Sequence, residues 1–327
     1  MQPVAETSAP REGIKKKEFI EINGLVQGMF IEGEDIANPL LLFLHGGPGY
    51  PGYPFIKNSH LKLEKYFTVC YWDQRGTGMS FHKGMTNKKL SSKQLVEDTA
   101  SITTYLCERF NKEKVYLFGH SWGSFLGCLT AAKYPHLFHA YMGSGQIGSQ
   151  ADSEKETLQF LLQTAIDRGE KKAQQEISQI TLDENYYNNT KYGKILFKYL
   201  IKYGGGMKRD NYSNLKQMKE LLFCKSYSLK ERMNILRGSN YSYSLYKELA
   251  KNDLTQIVPS MEIPVYIFQG KHDYQTSYQQ AKRFFDNVQS PKKKFFTFEN
   301  SSHSPFIEEV DKFCSIVENE ILVGTKE

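Results

Sequence analysis

The chain has 327 residues, 40% of them hydrophobic and 24% charged, with a formal net charge of +6. That length suits one catalytic domain carrying an insertion, or two domains, and the composition excludes an intrinsically disordered chain. The lysines are spread along most of the sequence, which argues against a nucleic-acid partner, and no apolar run approaches the roughly 20 residues of a membrane span, so no membrane partner is expected.

Residues 1–13 are polar, contain Pro3 and Pro10, and read as a flexible tail. From Lys17 to Glu34 two apolar stretches flank Asn23-Gly24, a hairpin signal. Leu40–Leu44, Phe67–Trp72 and Val115–Phe118 are short apolar runs bounded by turn residues, as in buried parallel strands. Between the last two, Leu95, Thr99, Ile102 and Leu106 share one face of a helix predicted over Ser92 to Phe110. Alternating strands and helices imply a doubly wound α/β sheet. The alternation stops after Met142. Residues 148–257 turn helical, Lys-rich and Tyr-rich, with helices expected at Glu156–Arg168, Lys194–Tyr203 (broken by Gly204-Gly205-Gly206) and Leu215–Phe223. Strand signal returns at Pro264–Phe268 and Lys294–Phe298, and Ile307–Leu322 reads as a closing helix. The expected organisation is a sheet domain over 14–147 and 258–327, with 148–257 inserted as a helical cap. Lys15–Lys17 and Lys292–Lys294 read as solvated strand ends rather than as binding patches.

The five cysteines form no CxxC pair and are odd in number, so free thiols in a reducing compartment are expected. With no basic-then-apolar leader in Met1–Glu12, the cytoplasm is the expected location. No His/Cys/Asp cluster has ligand spacing, so neither a metal nor an organic cofactor is expected.

The chemistry concentrates at strand ends. Gly119-His120-Ser121-Trp122-Gly123 fits G-x-S-x-G, between a strand signal and a helical one. Glycines two residues either side of Ser121 remove side chains that a sharp strand-to-helix turn would drive into one another, leaving the hydroxyl at a helix N-terminus. The alternative is a glycine turn with an inert serine. His45-Gly46-Gly47-Pro48-Gly49 follows a strand. Gly47 and Trp122 are the expected N–H donors to an oxyanion, with His45 fixing the loop. A serine nucleophile needs a base and an orienting acid, in the order Ser, acid, His. Asp273 follows the strand Val265–Phe268, and His303 follows the strand Phe295–Phe298. His272 precedes the acid and lacks a following strand, and His120 is expected to pack within the elbow.

The His45–Gly49 loop, Asp73-Gln74-Arg75-Gly76-Thr77-Gly78-Met79-Ser80 and Gly119–Ser124 together resemble the prolyl iminopeptidase family of α/β hydrolases. The likeness covers roughly 17–145 and 260–320, and it implies an α/β-hydrolase fold that removes an N-terminal residue from short peptides. Asp73 and Arg75 are expected to form a structural ion pair or hydrogen-bond node. In the family, carboxylates near the cap hold the substrate's α-amino group, in some members through an acid directly after the catalytic Asp. Tyr274 stands there in this sequence, and the cap carboxylates singled out, Glu220, Glu231 and Glu248, have no assigned role. Two other readings stand beside this one: an esterase or amide hydrolase for small apolar acyl groups, and a non-catalytic ligand receptor on the same fold, against which the intact Ser, Asp and His set argues. The expected partner is a small peptide or acyl substrate.

Overall fold

The computed structural model describes residues 12–87, 89–182, 190–210 and 212–323. Most of the tail expected over 1–13 lies outside them. Eight strands form one sheet: β1 (Ile14–Ile22), β2 (Leu25–Gly33), β3 (Leu40–Leu44), β4 (Thr68–Trp72), β5 (Val115–His120), β6 (Phe138–Ser144), β7 (Val265–Gly270) and β8 (Lys293–Phe298). Their order is β1-β2-β4-β3-β5-β6-β7-β8. The β1–β2 hairpin turns at Asn23 and Gly24, both with positive φ, and joins β4 antiparallel; every later pairing is parallel. β1 and β8 are the two edges, and each lysine triplet lies at one of them. Charged side chains there blunt a free edge against pairing with another chain.

Leu42, Leu44 and Leu117 pack on one face of the sheet, against Leu95, Ile102 and Leu106 of α2 (Ser92–Phe110), Leu126 of α3 (Trp122–Lys133) and, further along, Phe284 of α11 (Tyr278–Asn287). Leu41, Phe43 and Phe118 face the other side, with Phe55 of α1 (Tyr53–Lys57), Phe306 of α12 (Pro305–Glu308) and Phe313 of α13 (Val310–Ile316). Burial on both faces is why β3 and β5 are continuously apolar. The fold is the α/β sheet with helices on both faces that the alternating pattern implies.

Between β6 and β7 the described residues form helices: α4 (Gln150–Asp167), α5 (Lys171–Ser178), α6 (Thr190–Lys202), α7 (Asn214–Leu222), α8 (Leu229–Tyr241), α9 (Tyr243–Lys251) and α10 (Leu254–Ile257). α4 begins six residues before the expected Glu156, because Ser149 caps it by accepting the Asp152 N–H. The closing helix is also not continuous. It breaks at Glu309, whose backbone sits at φ −115°, ψ 63°, between α12 and α13. The break serves the loop carrying His303: Glu309 accepts from the Asn300 N–H and the Ser301 hydroxyl, and Glu308 accepts from the N–H groups of Ser302 and Ser304.

The Asp73–Arg75 pair does not form. Arg75 reaches instead to Asp98 of α2, at 2.5 and 2.9 Å, because Asp98 is wholly buried beside the β1–β2 turn and needs a cation. Asp73 accepts from the Tyr227 hydroxyl and the Met79 N–H.

Candidate active site

Ser121 links β5 to α3 with φ 56° and ψ −121°, a region that L-residues rarely enter. The flanking glycines make the turn possible. A Cβ at Gly119 would lie 2.4 Å from the Gly123 carbonyl oxygen, and one at Gly123 would lie 2.1 Å from that of Leu44. The turn is held in place by the Ser121 N–H donating to the Ser144 carbonyl and by the Ser124 hydroxyl donating to the Ser121 carbonyl.

Asp273 and His303 meet across neighbouring loops after β7 and β8, with His303 Nδ1 2.9 Å from Asp273 Oδ2. The carboxylate accepts four further hydrogen bonds, from the N–H groups of Gln275 and Thr276, the Thr276 hydroxyl and Gln269 Nε2. Five donors suit a group that acts only as an acceptor. The contact assigns the ring proton to Nδ1 and leaves Nε2 with a free lone pair. Nε2 is buried without a hydrogen-bond partner, and His303 lines the same cavity as Ser121.

Gly47, at φ 119°, lines that cavity too, and a Cβ there would lie 2.6 Å from the Gly49 nitrogen. Trp122 is the first residue of α3, where backbone N–H groups lack intrahelical acceptors. Its side chain is fully buried, and its indole donates to Gln74. His45 ties these pieces together: Nε2 accepts the Gln74 N–H, its carbonyl accepts Gln74 Nε2, and Nδ1 lies 2.8 Å from the Gly46 carbonyl. Burial pushes His45 down to about 4, so it stays neutral and can accept at Nε2. His120 packs behind the elbow, its ring 4.9 Å from that of His303 and its Nε2 3.2 Å from the His303 carbonyl.

Two cavities open onto Ser121. The first, about 240 Å³, is walled by Phe55, Phe197, Met207, Met218 and Leu221. The second, about 160 Å³, runs under the inserted helices and is lined by Gln150, Glu154, Leu200 and Tyr246. Glu154 is the feature that sequence reasoning missed. It lies on α4, 3% exposed, and accepts from the hydroxyls of Tyr192 and Tyr246 and from Gln150 Nε2. Burial raises its pKa, with the three hydrogen bonds opposing. No spacing signal separates Glu154 from other helical glutamates; only the packing of α4 against α6 and α9 does.

The carboxylates singled out earlier are elsewhere. Glu220 accepts from Tyr212, Glu231 pairs with Lys17 and caps α8, and Glu248 accepts the Ser92 N–H. Tyr274 stacks on Phe160 of α4, with ring centroids 3.6 Å apart, and its N–H donates to Gly205. Gly206 then accepts the His303 N–H and the Ser302 hydroxyl. The glycine triplet thus stops α6 and also grips both loops that carry Asp273 and His303.

Residues 39–310 match the family model described as the alpha/beta hydrolase fold. The chain is 31% identical over 302 residues to the probable aminopeptidase YbaC of Bacillus subtilis strain 168, covering 90% of this chain and 93% of that one. It is 24% identical to a proline iminopeptidase of Heyndrickxia coagulans, over 91% of this chain and 96% of the other. The crystal structure of the proline iminopeptidase from Mycobacterium smegmatis superposes with a TM-score of 0.63 at 16% identity, covering 92% and 96% of the two chains.

Proposed function

Because the chain belongs to the α/β-hydrolase fold family, we propose that it is a serine hydrolase that removes an N-terminal residue from short peptides. Ser121 attacks the scissile carbonyl as His303 Nε2 takes its proton, and Asp273 holds the imidazole in the tautomer that leaves Nε2 free. The N–H groups of Gly47 and Trp122 stabilise the oxyanion. His303 then returns the proton to the leaving amine, and water releases the acyl-enzyme by the same route. A cytoplasmic setting suits the thiols, which are all free.

Glu154 is the observation that carries the aminopeptidase reading. A buried carboxylate without a cation is costly, and the α-ammonium of a substrate acylating Ser121 would supply one. The relatives named aminopeptidase and proline iminopeptidase point the same way. The apolar wall of the first cavity favours a second reading, an esterase for small acyl groups. The test compares prolyl and alanyl p-nitroanilides with their N-acetyl forms and with p-nitrophenyl esters. Acetylation should lower kcat/KM by about 10²-fold, equivalent to roughly 3 kcal/mol of lost pairing. Capped and free substrates reacting equally would favour the esterase.

A further inference from the structure

α7 has two unlike faces. Gln217, Met218 and Leu221 line the cavity at Ser121, whereas Leu215, Lys216 and Lys219 point to solvent and Phe223, at its C-terminal end, is 70% exposed. α8 repeats the pattern: Asn234, Ile235 and Gly238 are buried, while Leu229, Met233 and Leu236, four and three residues apart on the opposite face, are 77%, 54% and 43% exposed. Of thirteen exposed large hydrophobic residues among those described, five fall between 215 and 236. This clustering sets them apart from singly scattered surface residues, which need no explanation.

The same stretch holds most of the excess charge. Residues 208–237 contain eight Lys and Arg against three Asp and Glu, so they supply +5 of the chain's net +6. The even spread of lysine along the sequence hides this, because acidic residues balance it elsewhere. Of the three acids, Glu231 is already paired with Lys17. Among the described residues, Lys216, Lys219, Lys225, Lys230, Arg232 and Arg237 form no ion pair.

We infer that the outer face of α7 and α8 docks on the surface of an anionic lipid bilayer. Protruding apolar side chains among unpaired cations match a surface with negative headgroups above an apolar interior. A second copy fits poorly, since a two-fold contact would set this cationic patch against itself. Nothing here requires a spanning segment. No helix among the described residues is long and apolar enough to cross a membrane, and the expectation of no membrane partner rested on that kind of segment alone. The docking does not depend on what Ser121 acylates, but it places the roof of the Ser121 cavity at the lipid surface.

The test is co-sedimentation of the full chain with phosphatidylcholine vesicles, with and without phosphatidylglycerol. Binding is expected only with phosphatidylglycerol, weakening as salt rises. It should fall about tenfold or more both in Phe223→Ser/Leu229→Ser and in Lys216→Gln/Lys219→Gln. Circular dichroism melts should be unchanged, and Phe223→Ser alone serves if the double variant unfolds early. Absence of binding to anionic vesicles, or equal binding to neutral ones, overturns the proposal. So does an apolar variant that binds like the parent, which would indicate an acidic macromolecule instead. Dimerisation in sedimentation velocity that Phe223→Ser/Leu229→Ser abolishes would assign the patch to a second copy.

Discussion

Ser121 is held in a conformation that its own chemistry does not favour, and two missing side chains make that possible. If its hydroxyl is the nucleophile, a fluorophosphonate probe should label the parent protein and leave Ser121→Ala unlabelled, with turnover reduced by about 10⁴-fold or more. His303→Ala should lose a comparable amount, since base and nucleophile act as a unit. Glu154 gives a separable prediction. Glu154→Gln keeps the side chain's size and one acceptor oxygen but cannot pair with an ammonium, so KM for free-amine substrates should rise by at least about tenfold while ester hydrolysis is unchanged. Only the ionised carboxylate pairs with the amine, and burial raises its pKa. KM for free-amine substrates should therefore fall as pH rises through that raised value, and a neutral ester should lack this limb. The residues at strand ends were legible because a glycine-flanked serine, a glycine loop and a chain order carry local signals. Gln269, Thr276, Glu154 and Glu308 were not, because each is tied into the site by a partner far away in sequence: Gln146, His303, Tyr246 and Arg209 respectively.

α8 packs on the Gly78–Ser80 turn that follows β4. A Cβ at Gly238 would lie 2.1 Å from the Gly76 carbonyl oxygen, which is backbone and cannot swing aside. Alanine would ordinarily strengthen a helix interior by up to about 1 kcal/mol. Here the clash should win, and Gly238→Ala should destabilise the protein by roughly 1–3 kcal/mol in thermal melts. The sheet was readable from sequence because its central strands are buried on both faces and so lack polar interruptions. The inserted helices were harder to read. α5, α8, α9 and α10 were not assigned individually within the helical stretch. The break at Glu309 was invisible because its cause lies in hydrogen bonds to the His303 loop.

Over the whole molecule, Asp73 joins the two parts of the chain, accepting Tyr227 of the inserted segment at 2.8 Å from beneath the sheet's end. Burial raises its pKa from 3.8 to about 7, against the hydrogen bonds from Met79 and Tyr227. Between those values the folded chain keeps a proton that the unfolded chain has lost. Stability from this source is therefore full below 3.8 and disappears as pH rises through about 7. Asp73→Asn, neutral throughout, should flatten that slope, by a few kcal/mol at most, when pH-dependent melts of the two proteins are compared. The hydrogen bond from the His303 N–H to the Gly206 carbonyl has a further consequence, for how substrates of different size are discriminated. The roof over the serine and the backbone of the base share one bond, so a ligand too bulky for the 160 Å³ chamber cannot push the roof up without dragging the imidazole off its line. Oversized peptides would then occupy the enzyme yet turn over slowly, and selection by size would appear in kcat rather than in affinity.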